Sequence, residues 1–315
     1  MAYETGLASS YMDIMTQLIN ICIANGWSWS DSILSKNTCF LRVTHNPTGS
    51  FDSGSGLLFQ GGTGKSGSNL INPSSAIMRL GPFGTSPLIP APVFPIQYHI
   101  FVFDNPDEVY LVVKYEIDRF MFVGFGKSII EGNGLWISAS LGLRFGNGTT
   151  GTGINISEYT GGLSQSNSYV SSSGFWWQSY NVSNLPVLAT QTIYTNIENI
   201  GWSHQAPFIG NGNTPANQSL QPLLSRLPAA WSSETILLPI QPYILRASFK
   251  TSILADIQFA RYLRIDNLEP EQILNIGNQK WMVFPFHKKN SVARNGGSAI
   301  DHTGTFGWAI KYDGY

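Results

Sequence analysis

The sequence predicts a mainly β protein: a sandwich-like antiparallel meander with one N-terminal amphipathic helix and long Gly/Ser/Asn-rich loops. Three observations lead there. Between Gln97 and Lys127, three runs of β-branched and aromatic residues are separated by two turn signals. Near the N-terminus a single stretch carries apolar residues at helical spacing. Gly (32), Phe (18), Tyr (13) and Trp (9) are plentiful, while only 12% of residues are charged, against roughly 25% in ordinary soluble domains.

The meander is the strongest of these signals. Its first run, Tyr98 to Phe103, is apolar on both faces apart from His99, so it belongs in the middle of a sheet covered on both sides. Asp104-Asn105-Pro106-Asp107 turns the chain, because Asp and Asn bond their own backbone and Pro fixes φ. The second run alternates: Val109, Leu111, Val113 and Tyr115 share one face, with Tyr110, Val112, Lys114 and Glu116 on the other. Asp118-Arg119 turns the chain again, and Phe120 to Phe125 forms a third strand expected to stop at Gly124 and Gly126.

The remaining elements follow in chain order. Ser10-Tyr11-Met12-Asp13 has the pattern of a capping box, with Asp in place of Glu. Tyr11, Ile14, Met15, Leu18, Ile19 and Cys22 then recur at helical spacing, and Asn25-Gly26 supplies a left-handed stop. Trp27 and Trp29 follow, and Thr38 to Thr44 reads as a strand. From Asn46 to Pro95 Gly, Ser and Pro dominate. Leu57-Leu58-Phe59 and Ala76-Ile77-Met78 fit short strands there, amid loops long enough to carry function or an interface. Leu135 to Phe145 alternates as one further strand. Residues Gly146 to Ser173 are almost uncharged and rich in Gly, Ser, Thr and Asn, until Gly174-Phe175-Trp176-Trp177 ends the stretch. Thr192 to Ile197 and Trp202 to Phe208 fit strands. Ile236 to Phe249 is interrupted by Pro239 and Pro242 and so suits a sheet edge. Tyr262 to Leu268 and Gln272 to Ile276 precede a Gly277-Asn278 hairpin turn into Lys280 to Phe284. In the last strand, Phe306, Trp308, Ile310 and Tyr312 face one way. No repeat of fixed period is visible. Three segments result: 1–145 with the helix and meander, a loop-rich aromatic-containing insertion over 146–219, and C-terminal strands over 220–315 completing the framework. Together they make one composite domain.

Composition limits the function classes. A net charge of −1 gives no steering towards nucleic acid or an anionic membrane. No run approaches the roughly 18–20 apolar residues that span a bilayer. The opening MAYETG has neither the basic nor the apolar region of a secretory leader, so cytoplasmic synthesis is the expectation. Cys22 and Cys39 read as buried small hydrophobes rather than a disulfide or metal pair. A surface this poor in charge suits a protein that works against other subunits. The plainer alternative is a monomeric sandwich that is polar but uncharged.

Several motifs invite a chemistry the surrounding residues do not support. Gly61 to Ser66 ends like a phosphate-binding loop, but Phe59 stands where the first Gly is required and no apolar helix follows Ser66. Such a loop works by aiming a helix N-terminus at phosphate, so the site fails. His45, His99, His204, His287 and His302 lack ligand spacing, and His99 reads as a hydrogen-bonded core histidine. Asp104, Asp107 and Glu108 with Asn105 have the composition of a Ca²⁺ loop, yet a solvated turn is the expected reading, because hairpin tips attract these residues anyway. His287-Lys288-Lys289 with Arg294 reads as a solvated loop. The acceptor patterns at Asn147, Asn155, Asn181 and Asn217 are expected by chance in so Asn- and Ser-rich a chain. Glu131, Glu158, Glu198 and Glu234 are isolated, whereas a polysaccharide-cleaving enzyme needs paired carboxylates. No cofactor or metal is expected. The candidate contact residues are Phe175, Trp176, Trp177, Tyr180 and Trp202. Exposed, they could stack on sugar rings; packed, they serve a core or a subunit interface.

Three blocks resemble a family of tailed-bacteriophage virion proteins of the tail or head–tail region. They are MAYETG…SSYMDIMTQLINICIANGWS, then YHIFVFDNPDEVYLVVKYEIDRFMFVGFGK, then YLRIDNLEPEQILNIGNQKWMVFPFHKKN with the terminal GTFGWAIKYDGY. They cover about a third of the chain, in matching order. The resemblance implies a non-enzymatic structural part of the particle and transfers no catalytic residue. Residues 146–219 have no counterpart in it. The leading expectation is therefore a symmetric oligomer on a phage tail, neck or collar, with copies of itself and other virion proteins as partners. The alternative is a virion-borne module binding a host surface glycan through the aromatics near 175–180.

Overall fold

The computed structural model describes residues 1–46, 56–81, 92–127, 134–144, 173–178, 191–199, 201–204, 236–245, 250–265, 267–286 and 306–314. The chain is mainly β, with one α-helix among the described residues, Tyr11–Ala24. Three antiparallel sheets stack as layers. The middle layer has seven strands in the order Ala2–Ala8, Ile96–Phe103, Glu108–Glu116, Arg119–Lys127, Leu135–Ala139, Gln191–Tyr194 and Trp202–His204. A six-stranded sheet lies on one side, built from Leu141–Arg144, Ala76–Leu80, Gly56–Gly62, Cys39–Asn46, Ile33–Lys36 and Ser28–Ser30. On the other side is a five-stranded sheet of Leu238–Ile240, Ile257–Arg264, Phe306–Lys311, Gln279–Pro285 and Ile273–Ile276. The C-terminal strands therefore pair among themselves and cover the meander face to face, rather than extending it edge to edge. Among the described residues no helix is long and apolar enough to cross a membrane.

The period of two in the meander divides its side chains between two cores. Val109, Leu111 and Val113 join Ile100, Val102, Val123 and Ile137 against Leu41, Val43, Leu57 and Met78 of the six-stranded sheet. The opposite face is aromatic. Phe101, Phe103, Tyr110, Phe122 and Trp136 meet Tyr262, Phe284 and Trp308 of the five-stranded sheet. Being covered on both faces is why Tyr98 to Phe103 is apolar apart from His99. The C-terminal sheet also has a small core on its outer face, with Leu263, Ile265, Trp281 and Val283.

The helix begins as the capping pattern predicts, with the Ser10 hydroxyl accepting from the Asp13 N–H at 3.1 Å. The reciprocal bond is displaced by one residue: the Asp13 carboxylate accepts from the Ser9 N–H at 2.9 Å. At the other end Gly26 has φ +83, Gly26 N donates to Ile23 O and Trp27 N to Cys22 O. That is the full Schellman pattern. Tyr11, Ile14, Leu18, Ile21 and Cys22 turn inward, and the helix is wedged between the Ala2–Ala8 side of the middle sheet and the six-stranded sheet. Burial pushes both cysteine thiols up, and both are unpaired, in keeping with small hydrophobes.

Two predicted boundaries fall elsewhere. Leu135 to Phe145 is not one strand. At Ser140 the chain leaves the middle sheet and enters the six-stranded one, the corner being held by Phe122 N donating to the Ser140 hydroxyl at 2.6 Å and Ser140 N donating to Phe122 O at 2.9 Å. The third meander strand does not stop at its glycines either; it runs through to Lys127. A Cβ at Gly124 would lie 2.6 Å from the Phe175 ring, and one at Gly126 2.6 Å from the Asp107 carbonyl oxygen and 3.0 Å from the Trp136 ring. These glycines keep the sheet surface flat where aromatic rings lie on it. Gly126→Ala is expected to destabilise the protein by about 1–3 kcal/mol through overpacking against fixed backbone. Chemical denaturation should show a lower midpoint with an unchanged slope; an unchanged midpoint would contradict this packing.

Candidate functional site

The candidate aromatics are not assembled on one surface. Phe175 and Trp176 have no solvent exposure. They form the two-residue tip of a hairpin whose arms are Ser173–Gly174 and Trp177–Gln178, and this tip enters the aromatic core. The Phe175 ring stacks on Trp308 at 4.6 Å between centroids and meets Trp136 edge-on at 5.7 Å. The Phe175 carbonyl accepts from the Tyr262 hydroxyl at 2.7 Å. Trp176 has φ +51, a left-handed conformation that packing must hold for a residue with a Cβ. Trp176 therefore belongs to the turn and Trp177 to the arm that follows it. Neither Phe175 nor Trp176 can present a face to a sugar while this core is intact. Tyr180 lies outside the described residues, and only the backbone of Trp177 is described.

Trp202 sits apart from that cluster. It lies on the last strand of the middle sheet and packs, partly buried, against the other core. Its indole N–H donates to Asn72 O at 2.7 Å, and a Cβ at Gly61 would lie 2.5 Å from its ring. The glycines of the phosphate-loop lookalike thus have a packing role. Gly61 makes room for Trp202, and Gly64–Ser66 pairs with Asn69–Ile71 as a small hairpin. Lys65 reaches Ser30 and Asp31.

The acidic turn is corrected by the fold in a similar way. Its three carboxylates do not converge on one point, and not all of them face solvent. Asp104 is exposed, but Asp107 is buried, with Lys36 at 2.8 Å and the Asn37 amide donating at 2.8 Å. Lys36 also bonds Asp104 and Asn25 O, tying the meander tip to the helix C-terminus. Glu108 points the opposite way and is completely buried.

Two carboxylates unite the middle and C-terminal sheets. Glu108, from the middle sheet, accepts the N–H groups of Gln258 and Phe259 at 2.9 and 3.0 Å and the Tyr110 hydroxyl. Burial pushes its carboxyl up to about 7 despite these donors. Glu271, from the C-terminal layer, reaches back to His99 Nε2 at 3.0 Å, the Gln97 amide at 3.0 Å and the Lys114 ammonium. The His99 bond, assisted by Lys114, holds its carboxyl down to about 2 against partial burial. His99 Nδ1 lies 2.9 Å from the Tyr3 hydroxyl, so this is a hydrogen-bonded core histidine. Glu271 has φ +65, a backbone cost of roughly 1–3 kcal/mol that persists only where surroundings impose it.

Tyr3, His99 and Glu271 are linked in series across the layer boundary. Both oxygens of Glu271 are occupied by protein donors, and burial raises the Tyr3 hydroxyl. The arrangement is suited to holding two layers together. Among the described residues no three His, Cys, Asp or Glu side chains come together as a metal site. Sequence reasoning placed His99 but missed Glu271, whose partners lie 157 to 174 residues away and leave no local pattern. Comparison with protein-family models and with curated proteins finds no match.

Two outcomes test this geometry. Trp176→Ala should lower stability by about 3–5 kcal/mol, the usual effect of emptying a packed aromatic site, as read by chemical denaturation; a surface-exposed Trp176 would leave stability unchanged. Glu271, with its carboxyl below the ordinary 4.5, stabilises the fold fully above that pH, and this contribution is lost as pH falls towards 2. Glu271→Gln should remove that acid limb from a plot of stability against pH. An identical limb in both proteins would assign it to other groups.

Proposed function

We propose that this chain is a non-enzymatic structural subunit of a tailed-phage virion, working as a symmetric oligomer on the tail, neck or collar. The observation that carries the reading is where the three resembling blocks meet. Tyr3 comes from the first, His99 and Lys114 from the second, and Glu271 and Tyr312 from the third with its terminal piece. In the fold they are one cluster: Glu271 binds His99 and Lys114, His99 binds Tyr3, and Tyr312 packs edge-on against Tyr3 at 5.0 Å. The blocks thus form one framework, and its buried charged groups join layers.

Low charge supports the oligomeric part of the reading. With only 12% charged residues, the chain also exposes large apolar side chains, among them Val93 at 79%, Ile117 at 75% and Leu7 at 69%. Subunit contacts bury such groups. The partners are copies of this chain and other virion proteins, and the protein resides in the particle. The glycan-binding alternative draws nothing from Phe175 or Trp176, which are internal.

Light scattering of the purified protein is expected to give a closed oligomer, and cryo-EM of intact particles should place it in symmetric contact on the tail or neck. A stable monomer that is also missing from purified particles would overturn the proposal.

A further inference from the structure

The edges of the three stacked sheets are guarded unequally. An open edge presents unpaired N–H and C=O groups, and proteins blunt it with short strands, Pro, charge or a bulge. Among the described residues, five of the six edge strands follow that rule. Trp202–His204, Ser28–Ser30 and Leu238–Ile240 have three residues, and Leu141–Arg144 and Ile273–Ile276 have four. Leu238–Ile240 also carries Pro239 and a register irregularity. The sixth, Ala2–Ala8, has seven residues and pairs with Ile96–Phe103 without a break in register. It contains no Pro, Lys or Arg. Six of its side chains are half-buried or exposed, whereas all but one of those on its neighbour are buried. Leu7, near its end, is 69% exposed.

We propose that two copies of the chain join along this edge, antiparallel across a two-fold axis perpendicular to the sheet; the proposal rests on the oligomeric reading of the chain and names one contact of that oligomer. Such an axis keeps the two faces of the sheet distinct, so a residue meets its own number or one that differs by an even number. An axis at Glu4 would set two carboxylates directly opposite, which is destabilising. An axis at Gly6 would leave Ala2 and Tyr3 without partners on the strand. An axis at Thr5 pairs all seven residues: Thr5 with Thr5, Glu4 with Gly6, Tyr3 with Leu7 and Ala2 with Ala8. Thr facing Thr is a favourable cross-strand pair, and no like charges stand opposite. Tyr3 already packs against Phe101 and Tyr312, so Leu7 of the second copy extends that apolar group and leaves water. The helix packs beside the strand, and the same axis sets both helices on one side of the joined sheet. Met12, in the first helical turn just beyond Ala8, is 45% exposed there. The contact is isologous, so it closes as a dimer or as the two-fold contact of a dihedral assembly.

Thr5→Cys tests the axis directly in the full chain, because residue 5 meets its own copy. Both native cysteines are buried, so mild oxidation should link the Thr5→Cys protein into a covalent dimer. Ile71→Cys should stay unlinked under the same conditions. Ile71 is 45% exposed beside the opposite edge, next to Asn72, whose carbonyl holds Trp202. Leu7→Lys, at a solvent-exposed position, should leave the far-UV circular dichroism unchanged. It should raise the dissociation constant of the oligomer about tenfold or more, by removing both Tyr3–Leu7 pairs and charging the edge. A Thr5→Cys dimer together with weakened assembly of Leu7→Lys supports the contact. An oligomer that withstands Leu7→Lys, with no dimer from Thr5→Cys, overturns this inference and leaves the oligomeric reading standing. An unmodified protein that is monomeric in solution overturns it too, whereas the virion reading falls only if the protein is also missing from particles.

Discussion

A sheet that is apolar on both faces must be covered on both faces, and the architecture follows from that constraint. The strands around Ile100, Leu111 and Val123 on one face, and Phe101, Tyr110 and Phe122 on the other, leave no side for water. The flanking sequences therefore supply two covers. The N-terminal segments build a six-stranded sheet and a helix over the mostly aliphatic face. The C-terminal segments build a five-stranded sheet over the aromatic face. Burying a large apolar side chain contributes about 1.5–3 kcal/mol, so the double cover is where most of the hydrophobic stabilisation resides.

The two covers are attached differently. The chain crosses directly from the middle sheet to the six-stranded sheet at Ser140, and the helix fills the opposite side between them. The C-terminal sheet is instead held by ring stacking and by two carboxylates exchanged across the layer boundary. Buried carboxylates are tolerated where donors satisfy them. Glu271 has an imidazole, an amide and an ammonium, and is held ionised. Glu108 has backbone amides and a phenol, and burial dominates. Opposite displacements of two similar groups arise from what each one faces.

The hairpin tip at Phe175–Trp176 links the uncharged middle region to this core. It places the Phe175 ring where Gly124 leaves room, with the Trp176 ring buried beside it. Large rings against a glycine-flattened sheet surface approach it closely. The same device recurs on the other side, where Trp202 lies on Gly61.

Much of the framework was legible in the residues themselves. Periodicity placed the helix, the meander, the division of its side chains between two faces and the final strand. Turn and capping chemistry placed the Ser10 start, the Gly26 stop and the Gly277-Asn278 hairpin, because those effects act within a few residues. What local pattern could not carry was decided by tertiary packing. Gly124 and Gly126 read as strand ends, yet they lie inside a strand, since only the rings of Phe175 and Trp136 reveal why side chains are excluded there. The run Gly174-Phe175-Trp176-Trp177 does not show that Phe175 and Trp176 form a buried turn while Trp177 opens the arm that follows. Asp107 and Glu108 read as parts of a solvated turn, and their fates depend on Lys36 and on the 258–259 amides. The Glu271 cluster was illegible for the same reason. Glu271 and Gln97 are 174 residues apart, and hydrogen bonds across that distance exist only once the layers have met.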